Sequence, residues 1–423
     1  MKIDIIAPAL PPKLDGIGDY TANLVRRLAT SNDVRVLTTS GDYTPIDGVE
    51  IAPAFEYARR ASVLSLERRV ANRRPDCVLL QYMPFSYGRW GLNPFLPMAI
   101  RRIRRASPST RIALMVHEPF VPVLDWKHAV MTTWQRWQLW SLGHNSDMAF
   151  FSIEPWAEEF RSWFPAATVR HLPIASNIPV EPSDPAATRA ALGIDPSTIV
   201  LGLFGQAHSA VLLDRVLDSW TALERAGTKA VVLYVGPQVD RVKANLPGVR
   251  LITTGALDAV DVSRHLAAMD IFLSPFVDGV STRRGSMMAA LEHGLPIVGT
   301  VAEHTDTILR RENGESLLLA PVTSPSPSAK GQSRFQNSPL WRRGVASSSE
   351  PGRGNPESGD DPFVDHVLTL AADPALRHRM GVNAADFYRR HFSWERIAAK
   401  IVDVAHPSSA SPGWAQTREL AAK

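Results

Sequence analysis

Two adjacent arginines followed by glycine and serine form the segment of this chain best suited to chemistry. Arg283, Arg284, Gly285 and Ser286 lie between a buried apolar run at 271–275 and a helical pattern. The first N–H groups of a helix and its dipole attract anions, and guanidinium groups bind phosphate through paired hydrogen bonds. The pattern predicts a phosphate site, and hence a phosphorylated or nucleotide-linked ligand. The alternative is a solvated arginine pair on a surface loop.

Two glycine-bearing loops and one histidine also follow apolar runs. Gly16 and Gly18 open the first helical pattern, and Gly205 ends the first apolar run of the second half. Glycine lets a ligand approach the backbone closely at such loops. The first loop lacks the third glycine of a dinucleotide fingerprint, so a purely structural turn stays open there. His117 suits a ligand hydroxyl or a proton transfer, and a buried core histidine is equally expected.

Short apolar runs alternate with helical patterns, which predicts parallel sheets built from strand–helix units. Strands are predicted at 2–7, 33–38, 76–82, 111–117, 148–152, 199–205, 230–236, 249–253, 270–275 and 296–300. The proline-rich stretch 172–185 resists helix formation and is the predicted linker. The chain is therefore predicted to be an α/β protein of two doubly wound, Rossmann-like domains, 1–178 and 179–392, facing a cleft at the carboxyl ends of their strands.

The C-terminal third breaks this alternation once. Residues 323–360 are dominated by Ser, Pro, Gly and Arg, without an apolar period, and are predicted to be a disordered surface insertion in the second domain. Helical patterns resume at 362 and continue to about 405, and residues 407–423 resemble a frayed tail.

Composition excludes several classes of protein. Cys77 is the single cysteine, which excludes an internal disulfide framework, and its apolar neighbours predict a packing role. A net charge of +4 is too weak to indicate nucleic acid, but suits an acidic small ligand or an anionic membrane face. No secretory signal pattern and no apolar stretch of about 18 residues occurs, so a cytoplasmic protein is expected. No Asp-x-Asp pair and no clustered ligand spacing occurs, so no metal is expected.

The order of several segments resembles a known family. The chain is similar to the GT-B glycosyltransferases, and most similar to the retaining, sugar-nucleotide-dependent group often called family 4. The segments that carry the resemblance are DGIGDYTANLVRRL, the dipeptide His117-Glu118, LGLFG, VLYVGP, ITTGALDAVDVSRHLAAMDIFLSPF, ALEHGLPIVGT and FSWERIAAKI. Many members carry two glutamates where this chain has Ser281 and Ala289, and an arginine and a lysine where residues 206–210 have neither.

The resemblance implies a retaining glycosyltransferase that moves a sugar from a nucleoside-diphosphate donor to a glycan, lipid-linked or polysaccharide acceptor. It implies donor binding in the second domain, acceptor binding in the first, and a crossover helix at 393–406. The resemblance implies a catalytic role for His117, and the anion chemistry of the turn adds Arg283 and Arg284 as catalytic residues in place of the missing loop cations. The implied donor-binding residues are Gly16, Gly18, Gly205, Gln206, Ser281, Gly285 and Ser286. Because the glutamates and loop cations are missing, a catalytically inactive GT-B-like binding or scaffolding subunit is the alternative.

Two further stretches, one basic and one rich in tryptophan, are candidates for a binding surface. The segment 95–105 combines apolar residues with four arginines, so its helix is predicted either to lie on an anionic membrane at the inner face or to be an ordinary amphipathic helix. Tryptophans gather between 126 and 163, and the helical spacing of Trp134, Trp137 and Trp140 predicts packing in preference to a carbohydrate platform.

Overall fold

The computed structural model describes residues 1–13, 15–56, 59–123, 125–322 and 361–405. The predicted insertion at 323–360 and the predicted tail at 407–423 lie outside the described residues. The chain divides into two compact units, which are Met1–Ile174 with the residues from Ser393 onward, and Ala175–Phe392. The predicted linker 172–185 spans this division, and residues 172–184 lie outside helices and strands.

The first unit contains one sheet. Its strands are β1 (Lys2–Ile6), β2 (Asp33–Thr38), β3 (Val49–Pro53), β4 (Cys77–Tyr82), β5 (Arg111–Val116), β6 (Met148–Phe151) and β7 (Thr168–His171). They lie in the order β3-β2-β1-β4-β5-β6-β7, and every pairing is parallel. The central strands are buried on both faces, as expected for a parallel sheet covered by helices on both sides.

Seven helices of the described chain belong to the first unit. They are α1 (Gly16–Ala29), α2 (Arg60–Leu64), α3 (Leu66–Arg73), α4 (Phe95–Ala106), α5 (Trp126–His144), α6 (Glu154–Glu159) and the C-terminal helix α15 (Trp394–Ala405). Helix α15 packs against α1, and Trp394 lies against Tyr20 with ring centroids 5.1 Å apart. The last helix is therefore part of the first unit although the residues before it belong to the second.

The second unit contains the other sheet. Its strands are β8 (Ile199–Phe204), β9 (Ala230–Val235), β10 (Leu251–Thr253), β11 (Ile271–Ser274), β12 (Ile297–Val301) and β13 (Leu317–Pro321). They lie in the order β10-β9-β8-β11-β12-β13, and all pairings are parallel. Its helices are α7 (Pro185–Ala191), α8 (Leu213–Arg225), α9 (Val239–Asn245), α10 (Ala259–Ala267), α11 (Gly285–Glu292), α12 (Thr307–Arg311), α13 (Pro362–Ala372) and α14 (Pro374–His391).

The predicted α/β architecture is confirmed, with two doubly wound parallel sheets. Every predicted strand is present, and three edge strands, β3, β7 and β13, lie outside the prediction. Cys77 begins β4 and is buried. Burial, with the negative charge of Asp147 adding to it, raises the pKa of Cys77 to about 12. The predicted packing role of this thiol is confirmed.

Candidate active site

The arginine-bearing turn follows β11 at the carboxyl edge of the second sheet, between the ends of β8 and β12. Phe276 N donates to Thr300 Oγ1 at 2.8 Å, and Val280 N donates to Thr300 O at 2.8 Å, which fixes the turn to the end of β12. Gly279 has a φ of +83°, and a Cβ there would lie 2.3 Å from Thr305 Oγ1. Only glycine fits where these two loops cross, so the backbone holds the turn in one place.

Arg283 and Arg284 share one carboxylate. Arg283 Nη2 lies 2.6 Å from Asp278 Oδ2, and Arg284 Nη2 lies 2.6 Å from Asp278 Oδ1. His304, from the loop after β12, adds a hydrogen bond between its Nδ1 and Asp278 Oδ2 at 3.2 Å. The exposed side-chain fractions are 16% for Arg283, 10% for Arg284 and 14% for Asp278. The alternative of a solvated arginine pair is therefore wrong.

The charge state of this cluster follows from its geometry. Burial alone would raise the pKa of Asp278. The hydrogen bond from His304 and the positive charges of Arg284 and Arg283 outweigh burial and hold the pKa of that carboxyl well below its ordinary value. Asp278 is therefore ionised at neutral pH. Arg283 and Arg284 both lie against this ionised carboxylate, at the carboxyl edge of the sheet.

The first turn of α11 directly continues the arginine pair. Arg284 is its N-cap residue, and the helix has no side-chain cap, so the N–H groups of Gly285 and Ser286 remain suited to an anion. Ser281 is fully buried just before the arginines, and its Oγ has no hydrogen-bond partner among the described residues. A phosphate here would meet backbone donors, the positive helix end and two guanidinium groups together.

A small cavity borders this turn at the end of β8. Its lining includes Gly205, Gln206, Tyr234, Phe276 and Ser286. The guanidinium carbon of Arg284 lies 4.0 Å from the ring centre of Phe276, so the arginine packs against a residue that lines the cavity. Gly205 has a φ of +96°, and its carbonyl oxygen accepts from Tyr234 Oη at 2.9 Å. The seven predicted site residues of the second unit thus lie at the carboxyl ends of two neighbouring strands.

Two positive or titratable groups near the turn lie outside the sequence prediction. His208 follows β8, and its ring centre lies 6.4 Å from that of Phe276. Desolvation, followed by the positive charges of Arg284, Arg283 and Arg241, lowers the pKa of His208. Arg241 belongs to α9, which follows β9. The loop after β8 itself carries no arginine or lysine, and neighbouring elements supply the positive charge to it.

In the first unit, His117 lies directly after β5, and its Nε2 is 2.7 Å from Gln81 Oε1. The ring of Tyr20 meets it edge-on, with centroids 5.0 Å apart. Burial lowers the pKa of His117 to about 4, so the imidazole is neutral at physiological pH. Tyr20 Oη and Gln81 Nε2 are buried and have no hydrogen-bond partner among the described residues. Buried polar atoms of this kind commonly mark where water or a ligand binds.

Gly16 and Gly18 form the first turn of α1, after β1. A Cβ at Gly18 would lie 3.2 Å from Ala9 O, whereas one at Gly16 would meet nothing within 4 Å. Asp15 caps this helix by accepting from Gly18 N at 2.7 Å. Burial and the charge of Asp15 raise the pKa of Asp19 in the same turn. With these two carboxyl groups present, the start of α1 suits an anion less well than the start of α11 does.

Ser281 and Ala289, which align with the glutamates of the family, are both buried. Among the described residues, no group of three or more His, Cys, Asp or Glu side chains is placed to hold a metal ion. Within the same residues, no helix has both the length and the apolar character needed to span a bilayer.

Solved structures with the same fold cover almost the whole chain. Sucrose-phosphate synthase from Thermosynechococcus elongatus has a TM-score of 0.65 at 15% identity, covering 100% of this chain and 99% of that one. WaaG, a glycosyltransferase involved in lipopolysaccharide biosynthesis, has a TM-score of 0.60 at 13% identity, with coverages of 96% and 100%. Anabaena HepE in complex with UDP and glucose has a TM-score of 0.63 at 13% identity, with coverages of 95% and 98%.

These similarities confirm the predicted fold. The chain has the GT-B fold of two Rossmann-like domains. No protein-family model and no curated protein sequence matches it. At such low identity the structural likeness establishes the architecture, and the chemistry has to be argued from the residues of this chain.

Proposed function

We propose that this protein is a glycosyltransferase that moves a sugar from a nucleoside-diphosphate donor to a glycan, lipid-linked or polysaccharide acceptor, with retention of configuration. The observation that carries the proposal is the uncapped start of α11 beside the paired guanidinium groups of Arg283 and Arg284. Structures with this fold include a complex with UDP and glucose and a glycosyltransferase of lipopolysaccharide biosynthesis, which supports the same class of substrate. The expected cytoplasmic location is part of the proposal.

The chemistry assigned to the second unit is stabilisation of the leaving group. When the bond between the anomeric carbon and the donor oxygen breaks, its electron pair stays on the diphosphate. The guanidinium groups of Arg283 and Arg284 and the N–H groups of Gly285 and Ser286 are held ready for that charge. Asp278 keeps both guanidinium groups in place, so little reorganisation is needed as the charge develops. Removing one preorganised donor from such a site typically costs about a hundredfold to a thousandfold in rate.

The acceptor side is assigned to the first unit. His117 is neutral at physiological pH because burial lowers its pKa to about 4. A neutral imidazole can hydrogen-bond to a sugar hydroxyl or receive a proton from one, and Gln81 fixes the orientation of the ring through Nε2. The unpartnered Tyr20 Oη beside it offers a second hydrogen bond. These neutral polar groups suit a hydroxyl-rich ligand better than an anion.

The test uses the full chain and nucleotide binding before turnover. Isothermal titration with UDP, GDP and ADP is expected to show binding of at least one diphosphate, and the R283A/R284A variant is expected to lose it. R264A is the matched control, because Arg264 forms an exposed ion pair with Asp261 on α10. The matching sugar nucleotide should then be hydrolysed or transferred, with the anomeric configuration of the product read by NMR. Absence of binding by all three nucleotides would contradict the proposal.

We also propose that no metal cofactor takes part, because the arginine pair and the helix start supply the positive charge beside the leaving group. Turnover is therefore expected to be unchanged in EDTA. A loss of activity in EDTA that magnesium or manganese restores would show that a metal is required.

A second candidate is a binding subunit without catalytic activity. It is favoured by the buried Ser281 and Ala289 at the positions where many family members carry glutamates, since no carboxylate is available there. Nucleotide binding that disappears in R283A/R284A, without turnover of any sugar nucleotide and acceptor, would support this candidate. Turnover that disappears in the same variant, while circular dichroism shows that the variant is still folded at the assay temperature, would support the enzyme.

A further inference from the structure

Helix α5 of the first unit buries several polar residues and exposes large apolar ones. Its buried side includes the polar residues Thr132, Gln135 and Gln138. Its exposed side carries large apolar residues, whose exposed fractions are 74% for Trp126, 62% for Val130, 45% for Trp137 and 47% for Trp140. Spacings of four, seven and three residues place these four on one face of the helix. The prediction that this tryptophan spacing serves packing is therefore wrong for Trp137 and Trp140.

The buried glutamines explain why the helix is fixed in this orientation. Gln135 Oε1 accepts from Val121 N at 2.9 Å, and its Nε2 donates to Trp90 O at 3.1 Å. Gln138 Oε1 accepts from Asn93 N at 3.0 Å. Each of these bonds satisfies backbone of the neighbouring loops, and rotating α5 to bury its tryptophans would break them. The apolar face is thus held outward by specific hydrogen bonds.

Trp90, outside α5, is a fourth exposed tryptophan, and α5 holds it in place. Its φ is +58°, a left-handed conformation that bulky residues rarely adopt, and 60% of the residue is exposed. Local backbone strain of this kind commonly accompanies a functional role. Its carbonyl is the one bound by Gln135, and Arg89 lies over its ring at 5.3 Å. Trp90 therefore keeps a strained backbone conformation while its aromatic ring is exposed next to an arginine.

The charges around this surface are mostly positive. The acidic residue next to it is Asp125, the N-cap residue of α5, which lies 2.8 Å from His128 Nδ1. Helix α5 contains Lys127 and Arg136 and no acidic residue, and residues 77–117 contain six arginines and no acidic residue. The whole chain, by contrast, has 46 basic and 42 acidic residues. Helix α4 lies against α5, and Arg104 joins their C-terminal ends by contacting Asp147 at 3.1 Å. A surface rich in tryptophan and arginine is complementary to an anionic lipid headgroup region.

The structure also corrects the earlier expectation for α4. Its apolar side chains Leu96, Ala99, Ile100 and Ile103 are buried in the unit, so that helix cannot insert an apolar face into a membrane. Its exposed face carries Met98 and three arginines, Arg101, Arg102 and Arg105, and Arg102 pairs with Glu67. Helix α4 is an ordinary amphipathic helix with a basic outer face, and the exposed apolar residues belong to α5 and the Trp90 turn.

We propose that the outer face of α5, together with Trp90, lies on an anionic lipid surface. The indole rings would enter the headgroup region, where Trp is favoured because one part of the ring is apolar and its N–H is polar. Arg101 and Arg105 of α4 would contact lipid phosphates. This proposal concerns a surface of the first unit and does not depend on the donor site, so it can fail or hold separately from the proposed function.

The test is sedimentation of the full chain with phosphatidylcholine vesicles and with vesicles that also contain phosphatidylglycerol. Wild-type protein is expected to bind the anionic vesicles more tightly, with a blue shift of tryptophan emission and weaker binding at high salt. W137Q/W140Q should weaken this binding by roughly tenfold or more, since two membrane anchors are lost. R101Q/R105Q should reduce the preference for anionic vesicles. V382Q is the control, because Val382 is 50% exposed on α14 of the second unit.

Unfolding temperature and diphosphate binding of W137Q/W140Q are measured alongside, and both should match the wild type. Failure of the wild type to bind either vesicle would overturn the proposal, as would equal binding by W137Q/W140Q. Sedimentation velocity tests whether a second copy of this chain, and not a lipid surface, covers this face. A wild-type dimer that W137Q/W140Q converts to a monomer, without vesicle binding, would show that a second copy of this chain covers the tryptophans.

Discussion

Replacing Asp278 by asparagine separates the contribution of the arginine cluster to stability from its contribution to anion binding. Asp278 bonds to Arg283, Arg284 and His304 with side chains that are largely buried. D278N keeps the size of the side chain and removes its charge, which leaves two guanidinium groups close together without their carboxylate. We therefore expect the fold to lose stability while the affinity of the site for anions increases.

The expected magnitude follows from burial. Removing one partner of a fully buried ion pair costs about 3–5 kcal/mol, and the small residual exposure of these three side chains favours the lower end, about 3 kcal/mol. For a unit the size of Ala175–Phe392, each kcal/mol corresponds to roughly 2–4 °C in unfolding temperature. D278N should therefore lower the unfolding temperature of this unit by about 6–12 °C. An exposed pair would give about 1 kcal/mol or less.

The assay is scanning calorimetry at neutral pH, with D261N as the control, because Asp261 pairs with Arg264 on an exposed face. Added nucleoside diphosphate should raise the unfolding temperature of D278N by more than that of the wild type, since the anion takes the place of the missing charge. A temperature within about 1 °C of the wild type would refute the claim that Asp278 organises the cluster. A smaller response to diphosphate than in the wild type would refute the claim that the cluster binds anions.

The pH dependence of the same variant gives an independent check. The pKa of Asp278 lies below its unfolded value, so its contribution to stability is present above about pH 4 and is lost as the pH falls toward the folded pKa. The difference in free energy of unfolding between the wild type and D278N should therefore shrink below about pH 4.

Three further outcomes are expected. G279A should destabilise the second unit in urea by at least about 2 kcal/mol, because the positive φ and the contact with Thr305 exclude a Cβ. The wild type should lose stability from about pH 6.5 to about 4, where His117 is protonated only in the unfolded chain, and H117Q should lose less stability over this range. Cys77 should react with iodoacetamide at pH 8 about a thousandfold more slowly in the native chain than in urea.

The sequence identifies the arginine turn because its signal is local. A buried strand, two arginines and the start of a helix lie within one short stretch, and the structure places the loop at the carboxyl edge as the strand–helix alternation predicts. No local sequence pattern identifies Asp278 as the partner of the two arginines. Asp278 reaches back to Arg283 and Arg284 because Gly279 turns the chain against the loop that carries His304. That crossing joins residues from two different loops, which periodicity does not reveal.

Two of the three edge strands that the sequence does not predict also lack a local signal. β3 and β7 are short and only partly buried, so neither has the continuous apolar run that marks the central strands. Helix α5 illustrates the opposite case, in which a clear sequence pattern predicts the wrong orientation. Its tryptophan spacing predicts a buried face, whereas Gln135 and Gln138 decide the orientation through bonds to loops that precede the helix in the chain. Residue spacing shows which residues share a helix face, but the contacts that the helix makes decide whether that face is buried.

The two units therefore offer different chemistry to the proposed transferase. The second unit concentrates positive charge and free helix N–H groups, which suits a diphosphate. The first places a neutral histidine among buried polar atoms at the end of β5, which suits hydroxyl groups. The chain then runs from His117 through a short connection to Trp126, the first residue of the proposed lipid-binding face. A single segment, 111–144, thus links the proposed acceptor histidine to the surface on which a lipid-linked acceptor would be presented.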